Sequence, residues 1–92
     1  MTAKDIANGL RSEINRVLPF LLPEGKRVGN EYEVGSVDGE RGQSLKVCLS
    51  EDKQGVWFDF ARNHGGDLLD LWVAVKRTDI ITAIKEAKSF LG

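Results

Sequence analysis

The lack of residues for cross-linking is the feature that most constrains what this chain can fold into. It has one cysteine, Cys48, and one histidine, His64, among 92 residues. An internal disulfide needs two cysteines, and a structural zinc site needs four ligands, usually Cys and His. Domains of this size often depend on one of these devices because their cores are small. Ordinary packing must therefore stabilise the chain, and neither a metal nor another cofactor is expected.

The composition is that of a globular protein, with 41% apolar and 29% charged residues. The formal net charge is −1, so the chain lacks the overall basic excess that is common in nucleic-acid-binding domains. Any basic surface must come from the sorting of charges in space. Since the sequence has neither a long apolar run nor an apolar signal core, we expect no membrane partner and a cytoplasmic location.

Apolar residues recur at helical spacing near the N-terminus. Thr2 is a good N-cap candidate for this helix. Pro19 disfavours helical backbone at Leu18, so the helix is predicted to end there or just before. The segment Pro23–Asn30 follows as a turn-rich connector. The predicted buried stripe of the helix is Ile6, Leu10, Ile14, Val17 and Leu18.

The middle of the chain has the alternation of β-strands. Strands are predicted at residues 31–34, 44–49 and 56–60, with a loop at 35–42 and a hairpin turn at 51–55. Side chains two residues apart share a face of a strand. The predicted core face is Leu45, Val47, Leu49, Phe58 and Phe60, and the opposite face has Lys46, Cys48 and Trp57.

The C-terminal third is predicted to form two helices. The first has an apolar stripe, and Thr78 or Asp79 can cap the second. The predicted buried residues are Leu68, Leu71, Trp72 and Val75, then Ile80, Ile84, Ala87 and Leu91. The fold class is therefore α+β, with helices on one face of a small antiparallel three-stranded sheet. Residues 1–92 form one domain: 1–24 are the N-terminal helix and connector, and 25–92 contain the sheet.

Three motifs follow one another at a specific spacing, namely QSLKV at 43–47, GVWFDFAR at 55–62 and NHGGDLLDLW at 63–72. Their order resembles the zinc-ribbon domain at the N-terminus of bacterial DnaG-type primases and phage primase-helicases. That family has P-S-F-x-V, then G-x-[YW]-x-C-x-x-C, then G-x-G-G-D opening a helix. The last helix of the chain is also similar. The resemblance extends from Gly25 to Leu91 and predicts a zinc-ribbon-like sheet.

The sequence departs from that family at the zinc ligands. In this register the four ligand positions fall on Gly35, Asp38, Asp59 and Arg62. Glycine has no side chain to bind a metal and arginine is a permanent cation, so we expect a metal-free variant. In place of the metal, Arg62 is predicted to pair with Asp38 or Asp59 and to hold the two hairpin loops together.

The resemblance implies a module that holds single-stranded DNA template while a separate catalytic domain makes an RNA primer during DNA replication. Its expected partners are single-stranded DNA and a primase catalytic domain or helicase. We predict Lys46, Arg41 and Arg62 as phosphate contacts and Trp57 as a platform for an unpaired base. The residue pattern alone also fits a core position for Trp57, so both interpretations stay open.

Catalytic patterns are missing from the sequence. It has neither a P-loop nor G-x-G-x-x-G, and its acidic residues are scattered rather than clustered for Mg²⁺. The chain is therefore expected not to be an enzyme by itself. The alternative function is a protein-docking module that contacts a replicative helicase or polymerase without binding DNA. The near-zero net charge and the lost zinc ligands both fit that alternative.

Overall fold

A computed structural model describes residues 2–92. The N-terminal apolar stripe is confirmed, but it lies on two helices, α1 (Ala3–Ser12) and α2 (Ile14–Leu21), which meet at Glu13. Thr2 is the N-cap of α1, as predicted. Its hydroxyl accepts the Asp5 N–H at 3.1 Å, and the Asp5 carboxylate accepts the Thr2 N–H at 2.9 Å. This reciprocal pair satisfies two N–H groups at the start of the helix.

The predicted helix end at Leu18 is wrong, because α2 continues through Pro19 to Leu21. The Leu22 N–H donates to the Leu18 carbonyl at 2.7 Å, so the helical turn closes around the proline. Leu18, Leu21 and Leu22 are all buried. Burying one such side chain stabilises by about 1.5–3 kcal/mol, whereas an interior proline costs about 3 kcal/mol. The burial of three leucines therefore outweighs the local preference.

The sheet is antiparallel and, within residues 2–92, has five strands in the order of the sequence. They are β1 (Lys26–Val28), β2 (Glu31–Val34), β3 (Leu45–Cys48), β4 (Trp57–Asp59) and β5 (His64–Gly66). The three predicted strands are β2, β3 and β4. The predicted three-stranded sheet is corrected to five because β1 and β5 are edge strands of three residues. Such short strands have no apolar alternation, and they form by pairing with a neighbour's backbone.

The two sides of this sheet differ sharply. We call the covered side the inner face, and the other side the outer face. The inner face has Tyr32, Val34, Leu45, Val47, Trp57 and Asp59, and the outer face has Glu31, Glu33, Lys46, Cys48, Phe58 and Phe60. The predicted inward direction of Leu45 and Val47 is confirmed. Leu49 is partly buried against the core, in line with its prediction.

The predicted faces of the third strand are reversed. Trp57 is 2% exposed, whereas Phe58 is 36% and Phe60 is 66% exposed. Val47 pairs with Trp57 and Leu45 pairs with Asp59. Partners in an antiparallel ladder share a face, so this register places Trp57 and Asp59 inward.

The polar atoms of the two inward residues explain this register. Trp57 Nε1–H donates to the Asp67 carbonyl at 2.7 Å. The Asp59 carboxylate accepts the N–H groups of Ala61 at 3.0 Å and Arg62 at 3.1 Å, forming a side-chain-capped turn. The wide Trp57 ring is thus buried with its single donor satisfied, which favours burial of tryptophan.

Two helices follow the sheet, α3 (Leu68–Lys76) and α4 (Ile80–Leu91). Asp67 caps α3, and Asp79 caps α4 by accepting the Thr82 N–H at 2.7 Å. The predicted stripe of α4 is partly wrong, because Ile80 is 45% exposed and Ala83 is buried in addition to Ala87. The small alanines let α4 pack closely against its neighbours. Among the described residues, no helix is long and apolar enough to cross a membrane.

Candidate nucleic-acid interface

An exposed aromatic pair lies on the outer face, with Phe58 on β4 and Phe60 just beyond its end. The ring centroids of Phe58 and Phe60 are 5.1 Å apart, with 67° between the ring planes. The Phe60 N–H donates to the Ser44 carbonyl at 2.7 Å, so backbone pairing continues beyond β4 and holds both rings on the sheet. Exposed aromatic rings on a sheet are a costly arrangement in water and are typical of binding surfaces.

Gly65 makes room for this aromatic pair. It is the ladder partner of Phe58 on the edge strand β5. A methyl group at Gly65 would lie 2.9 Å from Phe58 Cδ1 and would clash with the Trp57 carbonyl oxygen. A residue without a side chain is therefore needed here, and the Phe58 ring can lie low over the edge strand.

Lys46 lies directly beside Phe58, because the two are partners across the ladder. Its ammonium is 2.8 Å from Glu33 Oε2 and 3.9 Å from Glu31 Oε1. Glu33 is only 6% exposed, although it belongs to the outer face. Its hydrogen bond raises the pKa of Lys46 above the ordinary value of 10.5. Lys46 is therefore charged at neutral pH and held beside the aromatic pair.

Arg41 lies at the end of the outer face, in a cleft of about 460 Å³ that Lys26 and Glu33 also line. Its Nε is 3.4 Å from Glu24 Oε2, and both side chains are exposed. Such an exposed pair holds its partners weakly. Because Glu33 contacts Lys46 and also lines the cleft, the predicted residues Arg41 and Lys46 belong to one continuous region.

Arg62 pairs with Asp59, one of its two predicted partners, within the same turn. Its Nη1 is 3.2 Å from Asp59 Oδ2, and the contact to the other hairpin loop is a hydrogen bond of 3.4 Å to the Gly35 carbonyl oxygen. Three of the four positions that the resemblance assigns to zinc ligands therefore meet. Asp38 is the exception, since it pairs with Arg77 at 2.6 Å. Across residues 2–92, His, Cys, Asp and Glu side chains form no group of three or more that could hold a metal ion.

Trp57 does not take the place that was predicted for it, because its ring is buried on the inner face. Phe58 and Phe60 have the exposure that a base-stacking platform requires, and the sequence prediction had assigned both to the core. One sequence signal indicates the observed orientation of the strand. An aspartate at a strand end, here Asp59, commonly caps the following turn by accepting backbone N–H groups, here those of Ala61 and Arg62.

The chemistry available on the outer face is stacking and ion pairing. Its cations are Lys26 and Lys46, and the acids Glu31 and Glu33 lie beside them. The face is therefore close to neutral, with Arg41 at one end of it. A ligand bound here would gain mainly from contact with the rings and secondarily from the cations.

Comparisons with protein-family models, with curated proteins and with solved structures gave no match. The resemblance to the primase domain thus rests on the order and spacing of the sequence motifs.

Proposed function

We propose that this chain is a single-stranded nucleic-acid-binding module that holds template DNA for a primase or primase-helicase. In this role it binds DNA on the outer face and leaves RNA primer synthesis to a separate catalytic domain. The chain itself is non-catalytic. The motif resemblance supports the primase context, and the geometry of the sheet supports the choice of the outer face.

The observation that carries the proposal is the exposed Phe58–Phe60 pair beside Lys46. Unpaired bases stack on aromatic rings, and each stacked base contributes about 1–3 kcal/mol by alanine substitution. Alternate residues of one strand can present two rings to two successive bases. Bases in a duplex already stack on each other, so this surface favours single strands.

The cations explain the expected salt dependence. Lys46 and Arg41 lie where the phosphates of a strand stacked on the rings would pass, and Arg62 borders the same hairpins. Each neutralised phosphate releases counterions, so affinity falls as salt rises. Because the net charge is −1, we expect weaker salt dependence than that of a strongly basic domain.

The test is a titration of labelled single-stranded and double-stranded oligonucleotides at about 50 and 200 mM salt. The Phe58→Ala/Phe60→Ala variant should weaken single-strand binding by about tenfold or more. Ile81→Ala is the matched control, since Ile81 is 65% exposed and lies on α4. Lys46→Ala should weaken binding less and should reduce the salt dependence. Equal binding by the double variant and the control would contradict the proposed surface.

One observation favours the alternative of a docking module. Phe58 and Phe60 would also suit a protein partner, because exposed aromatic residues are common at the centres of protein interfaces. If the wild-type chain binds no oligonucleotide at either salt concentration, the outer face is better assigned to a helicase or polymerase partner.

A further inference from the structure

A groove separate from the outer face runs along the whole of α1. It has a volume of about 430 Å³, and Ala3, Ala7 and Arg11 are among the residues on its α1 side. Its opposite wall comes from the start of α3 and from Ile80. Ile80 is 45% exposed even though it is a large apolar residue. The groove therefore has an apolar part, to which Ala3, Ala7 and Ile80 contribute, and it follows α1 for about two helical turns.

The charges of this groove are unevenly placed. Lys4 and Arg11 line the α1 wall, and neither has a carboxylate within 4.0 Å among the described residues. The acids of the other wall, Asp67 and Asp70, each accept the other's backbone N–H at 2.9 Å. The cations thus lie on the α1 wall, whereas the acids lie on the opposite wall, where they cap α3.

The spacing of the two cations specifies the shape of the ligand. Lys4 and Arg11 are seven residues apart on one helix. Seven residues are about two turns, so both side chains project from the same face about 10.5 Å apart. A second helix lying along α1 has the same repeat. Two acidic residues seven positions apart on that helix would reach both cations, while its apolar stripe would contact the apolar part of the groove.

We propose that this groove binds an amphipathic helix of a partner protein, with acidic residues seven positions apart beside its apolar stripe. This proposal does not depend on nucleic-acid binding, because the groove and the Phe58–Phe60 pair share none of their residues. A module that binds DNA on the outer face would then be tethered to a partner protein through α1.

The experiment uses a synthetic amphipathic helix of about four turns, with leucines on one stripe and glutamates seven residues apart. A matched peptide has lysines in place of the glutamates. Amide NMR signals of the full chain are followed during titration. We expect saturable changes confined to α1 and the start of α3, with a dissociation constant below about 1 mM for the glutamate peptide only.

Charge reversal makes the test specific. Lys4→Glu/Arg11→Glu should weaken binding of the glutamate peptide by at least about tenfold and should bind the lysine peptide instead. Lys85→Glu/Lys88→Glu is the control with the same change in charge on α4 outside the groove, and it should behave as the wild type. Thermal unfolding of each variant verifies that the fold is intact.

Three results would overturn the proposal. The first is an absence of saturable change at about 1 mM peptide, and the second is equal binding of both peptides. The third is a shift of the Lys4 and Arg11 amide NMR signals on addition of a single-stranded oligonucleotide but not of the peptide. That result would assign the groove to nucleic acid. Loss of oligonucleotide binding in Phe58→Ala/Phe60→Ala with intact peptide binding would separate the two surfaces.

Discussion

The inner and outer faces of the sheet are made from the same three central strands, yet they differ in burial and in the partners of their side chains. On the inner face, Trp57 and Asp59 are 2% and 0% exposed, and hydrogen bonds satisfy their polar groups. On the outer face, Phe58 is 36% exposed, and its ladder partner on β3 is the charged residue Lys46. The polar aspartate is inside and the apolar phenylalanine is outside. Hydrogen-bond satisfaction, rather than hydropathy alone, therefore decides which face is buried.

This contrast predicts that stability and the proposed binding depend on different residues of a single strand. Inner residues have their side chains fixed by packing and by specific partners, so their replacement should affect folding. The exposed rings of Phe58 and Phe60 contribute little to the stability of the fold. Their replacement should therefore affect mainly ligand binding. The predictions below test this division, beginning with the largest expected effect.

Trp57→Ala should have the largest effect, because it removes a buried ring and leaves the Asp67 carbonyl without its donor. Truncating a buried Trp costs about 3–5 kcal/mol, a large share of the stability of a small domain. Phe58→Ala should cost about 1 kcal/mol or less, since its ring is partly exposed. The midpoint of urea denaturation measures both. Equal losses in the two variants would break the division between the faces.

Asp59→Ala should be next. It leaves the N–H groups of Ala61 and Arg62 without their acceptor and removes the partner of Arg62. Hydrogen bonds to a charged group contribute about 1.5–3 kcal/mol, so we expect a loss of about 2–3 kcal/mol. Asp38→Ala is the control, because the Asp38–Arg77 pair is exposed. A loss in the control as large as that of Asp59→Ala would contradict a role for burial.

Tyr32→Phe tests the inner face by pH. The Tyr32 hydroxyl donates to the Leu22 carbonyl at 2.7 Å, and burial raises the pKa of Tyr32 above its ordinary value of 10.0. Because the folded pKa is the higher one, this stability is present below about pH 10 and is lost as pH rises through the folded pKa. Tyr32→Phe should cost about 1 kcal/mol at neutral pH.

In alkaline solution, the wild type should therefore lose stability faster than the Tyr32→Phe variant, and the two curves should converge. Lys46→Met is the corresponding variant on the outer face, because the pKa of Lys46 is also raised above its ordinary value. Denaturation midpoints at a series of pH values from about 7 to 11 give the comparison. A constant gap between wild type and Tyr32→Phe would mean that Tyr32 does not ionise differently in the folded chain.

Glu33→Gln should have the smallest effect, and its sign is informative. Glu33 holds the Lys46 ammonium at 2.8 Å, so it competes with any phosphate for that cation. Removing the charge should tighten single-strand binding by roughly threefold and steepen the salt dependence by about 0.7 in the log–log slope. Glu31→Gln, whose carboxylate is 3.9 Å from the same ammonium, should change less. Weaker binding by Glu33→Gln would mean that Glu33 positions Lys46 for the ligand.

A good part of the fold follows from local signals. The buried stripe from Ile6 to Leu18 and the cap at Thr2 follow from spacing and residue type, and the structure confirms them. For the last helix the sequence allows a cap at Thr78 or Asp79, and the structure has it at Asp79. The three central strands also follow from alternation. For the candidate site, sequence placed Lys46 on the open face, where it is found, and paired Arg62 with Asp38 or Asp59, of which the structure has Asp59.

The rest depends on contacts between residues far apart in the sequence. The strand from Val56 to Phe60 is apolar at alternate positions and also contains Trp57, so hydropathy alone favours the wrong face. A shift of one residue in register inverts every side chain of a strand. The register is decided by the donor of Trp57, which finds the Asp67 carbonyl ten residues away.

The sequence by itself determined the fold class, the helix caps, the central strands and the need for a core without disulfides. The tertiary structure alone decided the two edge strands, the continuation of α2 through Pro19 and the exposure of Phe58 and Phe60. Caps, stripes and alternation act over a few residues, so sequence contains their signals. Strand register and edge pairing depend on which distant groups satisfy each other's hydrogen bonds, and that information exists only once the chain has folded.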